Sequence, residues 1–264
     1  MRKTALILLF TILYINKTEA QTSVLSVADS LLQSGNYIAA IEKLDSYYPQ
    51  TFETLVKQGY IFQITGNYSK SISSYNEALS KGESVKVTQS LGKSYQLQGN
   101  ANKAIELYEE VLEKDSTNLI LKYNLAKIYT KERKSKDAIK LLNELIKADS
   151  LNPNYHYSLG KIHQNKGASG FMKSGNYFLS AFKVDSSHLK SIYELTKFYK
   201  KIHFKDSATL FINKGLKKYP ESINFNQSKA KDLFYRKEYD STLVYLKRLE
   251  DLNYKTMFTY KLYG

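Results

Sequence analysis

The chain has 264 residues, a formal net charge of +14 and neither cysteine nor tryptophan. Without cysteine there is no disulfide framework, no thiolate metal site and no thiol nucleophile. Only 12 Gly and 3 Pro, beside 42% hydrophobic residues, exclude a collagenous or linker-rich chain and point to a folded, mostly helical protein of one or two domains or one elongated array.

The first residues, Met1-Arg2-Lys3, precede an apolar run from Ala5 to Ile15 and then Asn16-Lys17-Thr18-Glu19-Ala20. Two cations, a run well short of the roughly 20 residues that span a bilayer, and small residues at Thr18 and Ala20 read as a signal peptide over 1–20. An uncleaved anchor or a buried first helix is the alternative. Cleavage before Gln21 makes the expected location extracytoplasmic, periplasmic or secreted, with no transmembrane segment left. The basic excess survives loss of Arg2, Lys3, Lys17 and Glu19. It is nearly all lysine, with Arg only at Arg2, Arg133, Arg236 and Arg248. Phosphate and base recognition favour the bidentate guanidinium, so no nucleic-acid partner is expected.

Beyond residue 20 the chain repeats itself. Leu91-Gly92-Lys93-Ser94-Tyr95, Leu125-Ala126-Lys127-Ile128-Tyr129 and Leu159-Gly160-Lys161-Ile162-His163 lie in one phase. Extending that phase gives a column of mostly small residues: Ala28, Gly59, Gly92, Ala126, Gly160, Thr196 and Ala230. A second follows as Ala40, Ser71, Ala104, Ala138, Ser174, Ala208 and Thr242. Four residues after each of the latter comes Leu44, Tyr75, Tyr108, Leu142, Phe178, Ile212 or Leu246. Apolar residues at spacings of three and four predict two helices per repeat, and the small columns let their backbones approach. Gly35, Gly66, Gly99 and Gly167 stand at the intervening turns, where glycine adopts the left-handed conformation that ends a helix. Pro49, Pro153 and Pro220 fall between repeats.

On Leu91, Gly92, Tyr95, Ala104 and Tyr108 the chain resembles the tetratricopeptide repeat family, and the pattern covers essentially everything after residue 20. The resemblance implies an all-α, right-handed α-solenoid of about seven helix-turn-helix repeats over 21–256, starting near residues 21, 52, 85, 119, 153, 189 and 223. It departs from the family pattern in lacking the first-helix Trp, in Lys229 at a Leu position, and in about two extra residues within Gly167-Ala168-Ser169-Gly170-Phe171, followed by Gly175. Residues 257–264 read as the start of an eighth first helix or a frayed end. An apolar stub such as Met257, Phe258, Tyr260 and Tyr263 is a poor solenoid cap, so a fragment of a longer protein is expected.

No phosphate loop, His-Glu-x-x-His or Gly-x-Ser-x-Gly occurs, so no catalytic residue, metal site or cofactor is expected and the chain is read as non-enzymatic. His156 and His163 lack a nearby carboxylate, and His163 reads as a packed side chain. The resemblance implies that first helices line an inner wall that holds extended peptides. One residue past the first small column stand Lys93, Lys127, Lys161, Lys197 and Lys231, with Tyr123, Tyr157 and Tyr193 four residues before three of them. Only Lys197 has an acidic residue three or four positions away on its helix, Glu194. Two readings stand: a solvated lysine face, or a wall for an acidic or C-terminal peptide segment of a protein partner, lysines holding carboxylates and tyrosines packing side chains. A competing function is a sensor or assembly arm of a longer envelope protein.

Overall fold

The computed structural model describes residues 23–254, and all regular structure among them is α-helical. The signal peptide expected over 1–20 and the eighth-helix start expected over 257–264 lie outside the described residues. Helix α1 covers 23–33 and is followed by α2 (Tyr37–Asp45), α3 (Phe52–Ile64), α4 (Tyr68–Lys81), α5 (Val85–Gln98), α6 (Ala101–Lys114) and α7 (Leu119–Lys131). Then come α8 (Ser135–Ala148), α9 (Pro153–His163), α10 (Gly167–Val184), α11 (Leu189–Lys201), α12 (Lys205–Lys218), α13 (Ile223–Tyr235) and α14 (Tyr239–Asp251). Odd and even helices pair as hairpins, and within each unit a hairpin stacks on the next in sequence, the architecture of an α-solenoid. The chain divides between Leu121 and Lys122 into two compact units.

Helix starts and stops are locally encoded. Six of the seven hairpin turns carry the same bond pair, in which two successive N–H groups return to the preceding helix, as in Asn100 to the Tyr95 carbonyl (2.9 Å) and Gly99 to that of Gln96 (3.2 Å). The first of the two residues is left-handed at Gly35, Gly66 and Gly99, and equally at Arg133 (φ 59°), His203 (61°) and Lys237 (63°). In the first three turns the next residue is Asn36, Asn67 or Asn100, whose side chain accepts from a backbone N–H of the second helix. Lys134, Phe204 and Glu238 take that place in later turns and make no such bond. Between repeats, Asp115, Asp149 and Asp185 each accept a backbone N–H two residues on, and Asn118, Asn152 and His188 then cap the following helix. The fifth hairpin differs. Its extra residues form the first turn of α10, which runs for 18 residues.

Within a hairpin the two small columns face each other and are buried throughout. The side chain four residues beyond the second column fills the space over the first. A Cβ at Gly59 would stand 2.7 Å from the Tyr75 ring, one at Gly92 2.7 Å from Tyr108, and one at Gly160 2.4 Å from Phe178. Where the first column holds Ala28, Ala126, Thr196 or Ala230, the partner position holds Leu44, Leu142, Ile212 or Leu246 instead. Glycine thus goes with a ring and a larger residue with an aliphatic chain. In the first unit, Leu55, Tyr75, Ala78, Val87 and Leu91 join two repeats into one core. In the second, Phe178, Ile192, Leu195, Phe211 and Phe225 join three repeats, and Gly175 and Gly215 admit the Phe198 and Phe225 rings of the following repeat.

Two predictions follow from the packing and the turns. Tyr108 is 1% exposed and its ring has nowhere to retreat. Gly92→Ala therefore lowers stability by up to about 2 kcal/mol in thermal or urea unfolding, because about 1–3 kcal/mol of overpacking is offset by only about 1 kcal/mol of helix propensity. Adding the same substitution to Tyr108→Leu raises stability instead, and additive effects would contradict the pairing. Lys237→Gly relieves a left-handed lysine and raises stability by about 0.5–1 kcal/mol, whereas Gly99→Ala lowers it by about 1 kcal/mol.

Candidate functional site

The second unit brings most of the lysine and tyrosine positions together on its first helices. Tyr123 on α7 reaches α9, its hydroxyl 3.1 Å from Ser158 Oγ and its ring edge-on to Tyr155 at 5.2 Å. Tyr157 on α9 meets the ring of His188, the cap of α11, at 5.7 Å. Tyr193 on α11 meets Phe225 of α13 at 6.4 Å. The three tyrosines are half-buried, each turned onto the next repeat, so they serve first as packing between repeats. Burial, and secondarily the negative charge of Glu194, push the Tyr157 phenol above its usual value.

Lys127, Lys161, Lys197 and Lys231 are exposed. Lys127 Nζ lies over the Tyr123 ring at 5.0 Å and Lys197 Nζ over Tyr193 at 5.4 Å, the four-residue spacing placing each ammonium above its aromatic neighbour. Lys231 lies over Tyr235 at 5.8 Å. The third pair departs from this pattern: Lys190 covers Tyr157 at 5.8 Å, and Lys161 turns to Glu194 Oε1 (3.0 Å) and Gln164 Oε1 (2.6 Å). Gln164 donates in turn to Glu194 Oε2 at 2.8 Å, closing a ring of three side chains across α9 and α11. Lys197 approaches the same carboxylate at 3.9 Å. Lys93 is exposed on α5 of the first unit.

Sequence reasoning paired Glu194 with Lys197 alone. The stronger partner is Lys161, 33 residues away, and the only hint of it is that both positions recur one repeat apart. Beside Gln164, an open depression of about 530 Å³ is lined by Phe171, Met172, Lys201 and Ile202 among others, with Lys201 Nζ 4.4 Å from the Phe171 ring centre. Four histidines lie in this unit, one of them the left-handed His203 of a hairpin turn. His163 stacks on Tyr177, the buried Nδ1 of His156 has no partner among the described residues, and His188 Nδ1 accepts from the Ser191 N–H at 3.3 Å. Among the described residues, no three His, Asp or Glu side chains gather as a metal site. No helix among them is long and apolar enough to cross a membrane.

The tetratricopeptide repeat model matches residues 95–162. No curated protein matches the chain. Among solved structures, the C-terminal part of a tetratricopeptide repeat-containing protein from Cytophaga hutchinsonii is similar, with TM-score 0.70 and 15% identity, over 90% of this chain and 99% of that one. A tetratricopeptide repeat protein from Parabacteroides merdae follows with TM-score 0.65 and 15% identity over 92% and 97% of the two chains. PilF of Pseudomonas aeruginosa has TM-score 0.60 and 15% identity over 80% and 96%. At such identities the likeness carries the fold.

The His188 cap has a pH consequence. An imidazole that accepts from Ser191 is neutral, and burial lowers its pKa below the ordinary 6.5, as it does for His156 and His163. A lowered histidine pKa adds stability that is present above about 6.5 and is lost as pH falls through the folded value. Unfolding followed by circular dichroism should show stability steady near pH 7 and falling towards about pH 5. His188→Asn keeps a capping acceptor without the titration and flattens the slope.

Proposed function

Because this is a tetratricopeptide-repeat chain, and such repeats mediate protein–protein interaction, we propose that it is a non-enzymatic scaffold for an extended acidic or C-terminal peptide segment. The segment lies along α7, α9, α11 and α13 of the second unit. The observation that supports this most is that Lys127 and Lys197, at one position of two repeats, are both exposed and each lies over a tyrosine of its own helix. A lysine resting on a ring keeps its charge towards solvent while losing rotamer freedom before any ligand arrives, which lowers the cost of binding. The half-buried tyrosines are the rigid floor, and Lys231 extends the positive face onto α13. Lys93 is the corresponding position in the first unit. The reading includes an extracytoplasmic setting, supported by the cationic, apolar and small-residue succession of residues 1–20.

Binding of labelled oligoglutamate and of oligoglutamine of equal length, measured by fluorescence anisotropy, tests the reading. Oligoglutamate should bind more tightly, the difference should shrink with added salt, and Lys127→Glu with Lys197→Glu should weaken it by about tenfold or more. Equal affinity for the two peptides, or an unaffected double variant, would refute it.

A further inference from the structure

In the first helices, the position two residues before the small column meets the preceding first helix. Ser90 accepts from Gln63 Nε2 through its carbonyl at 3.0 Å, Lys57 pairs with Asp29, and the Ser158 hydroxyl shares a hydrogen bond with that of Tyr123. Across the repeats this position reads Ser26, Lys57, Ser90, Asn124, Ser158, Glu194 and Ser228. Stacking one repeat on the next therefore does not require a carboxylate there. The sixth repeat nevertheless has one, and it is 5% exposed. Burying a carboxylate is costly unless it is paired, and even a well-paired buried ion pair adds little to stability. Glu194 is better explained by what it does to the lysines around it.

It takes one N–H of Lys161 at 3.0 Å, while Gln164 takes another at 2.6 Å, which leaves the ammonium one proton for an incoming acceptor. Lys197 stands farther off, at 3.9 Å, and its side chain stays 53% exposed. The negative charge thus sits within the line of lysines, between Lys127 on one side and Lys231 on the other.

We propose that Glu194 determines the specificity of the face: it is an internal counter-carboxylate that occupies Lys161, so that the part of a peptide crossing α9 is selected for uncharged acceptors rather than for carboxylates. This rests on the peptide-binding reading above and sharpens it, with acidic residues placed towards Lys127 and Lys197 and amide or hydroxyl groups over Lys161 between them.

Glu194→Ser installs the side chain that Ser158 and Ser228 already provide at this position, and Glu194→Gln removes the charge at constant size. Each is compared with the unaltered chain for binding of labelled oligoglutamate and oligoglutamine, with circular dichroism reporting the fold. The expected result is a gain of about tenfold for oligoglutamate that shrinks as salt is raised, with oligoglutamine unchanged. Oligoglutamate binding that stays the same or weakens in whichever variants fold overturns the inference, because Glu194 would then orient Lys161 for the ligand or be irrelevant to it. A gain for both peptides alike overturns it too. The two proposals fail separately: the broader one is judged on the unaltered chain and the lysine variants, this one on the ratio between the Glu194 variants and the unaltered chain.

Discussion

The structure depends on how closely two helix backbones approach inside each hairpin. A ring from the second helix lies where the first helix has no side chain, as Tyr108 does over Gly92 and Phe178 over Gly160. Close packing makes this arrangement unforgiving, because a core at crystal-like density has no slack to absorb a methyl group. Everything built on the first helices inherits its geometry. The lysine and tyrosine positions share a face because the small column beside them fixes the rotation of each helix against its partner.

Between hairpins the packing changes character along the second unit. Phe171 stacks on Phe198 at 5.1 Å and Phe182 meets Phe211 edge-on at 5.2 Å, while Tyr199 stacks on Phe211 at 5.5 Å inside one hairpin. Offset and edge-on pairs of this kind add to simple burial and fix the relative orientation of the helices that contribute them. On the first-helix side hydrogen bonds and an ion pair accompany the ring contacts, running through Tyr123, Ser158, Lys161, Gln164 and Glu194. The ring contacts hold repeats together, and the hydrogen-bonded side chains present donors and acceptors to solvent.

The repeat architecture was legible in the sequence because it depends on side-chain size at fixed spacing. Columns such as Gly59, Gly92 and Gly160 have no other simple reason to recur. The turns were only half legible. Gly35, Gly66 and Gly99 announce a left-handed residue, but Arg133, His203 and Lys237 adopt the same conformation through the bonds of the turn, with nothing in their identity to signal it. In the candidate site, sequence spacing predicted Lys127 over Tyr123 and Lys197 over Tyr193, which are contacts within one helix. It missed the Lys161–Glu194 pair and the turning of each tyrosine onto the next repeat, since both are set by stacking distance. The extra residues of the fifth repeat joined α10 because Gly170, whose Cβ would stand 2.7 Å from the His163 carbonyl oxygen, lets that helix begin against the end of α9.

The hairpin turns are unequal, and this bears on how the chain acquires its shape. The first three join a left-handed glycine to a capping asparagine, so each carries its own instruction to stop one helix and start the next. Later turns at Arg133-Lys134, His203-Phe204 and Lys237-Glu238 have neither device and rely on already formed neighbours. In a linear array whose members touch only adjacent members, the segments that need least help are the natural nuclei. Here these are the three hairpins nearest the N-terminus, whose turns specify their own ends.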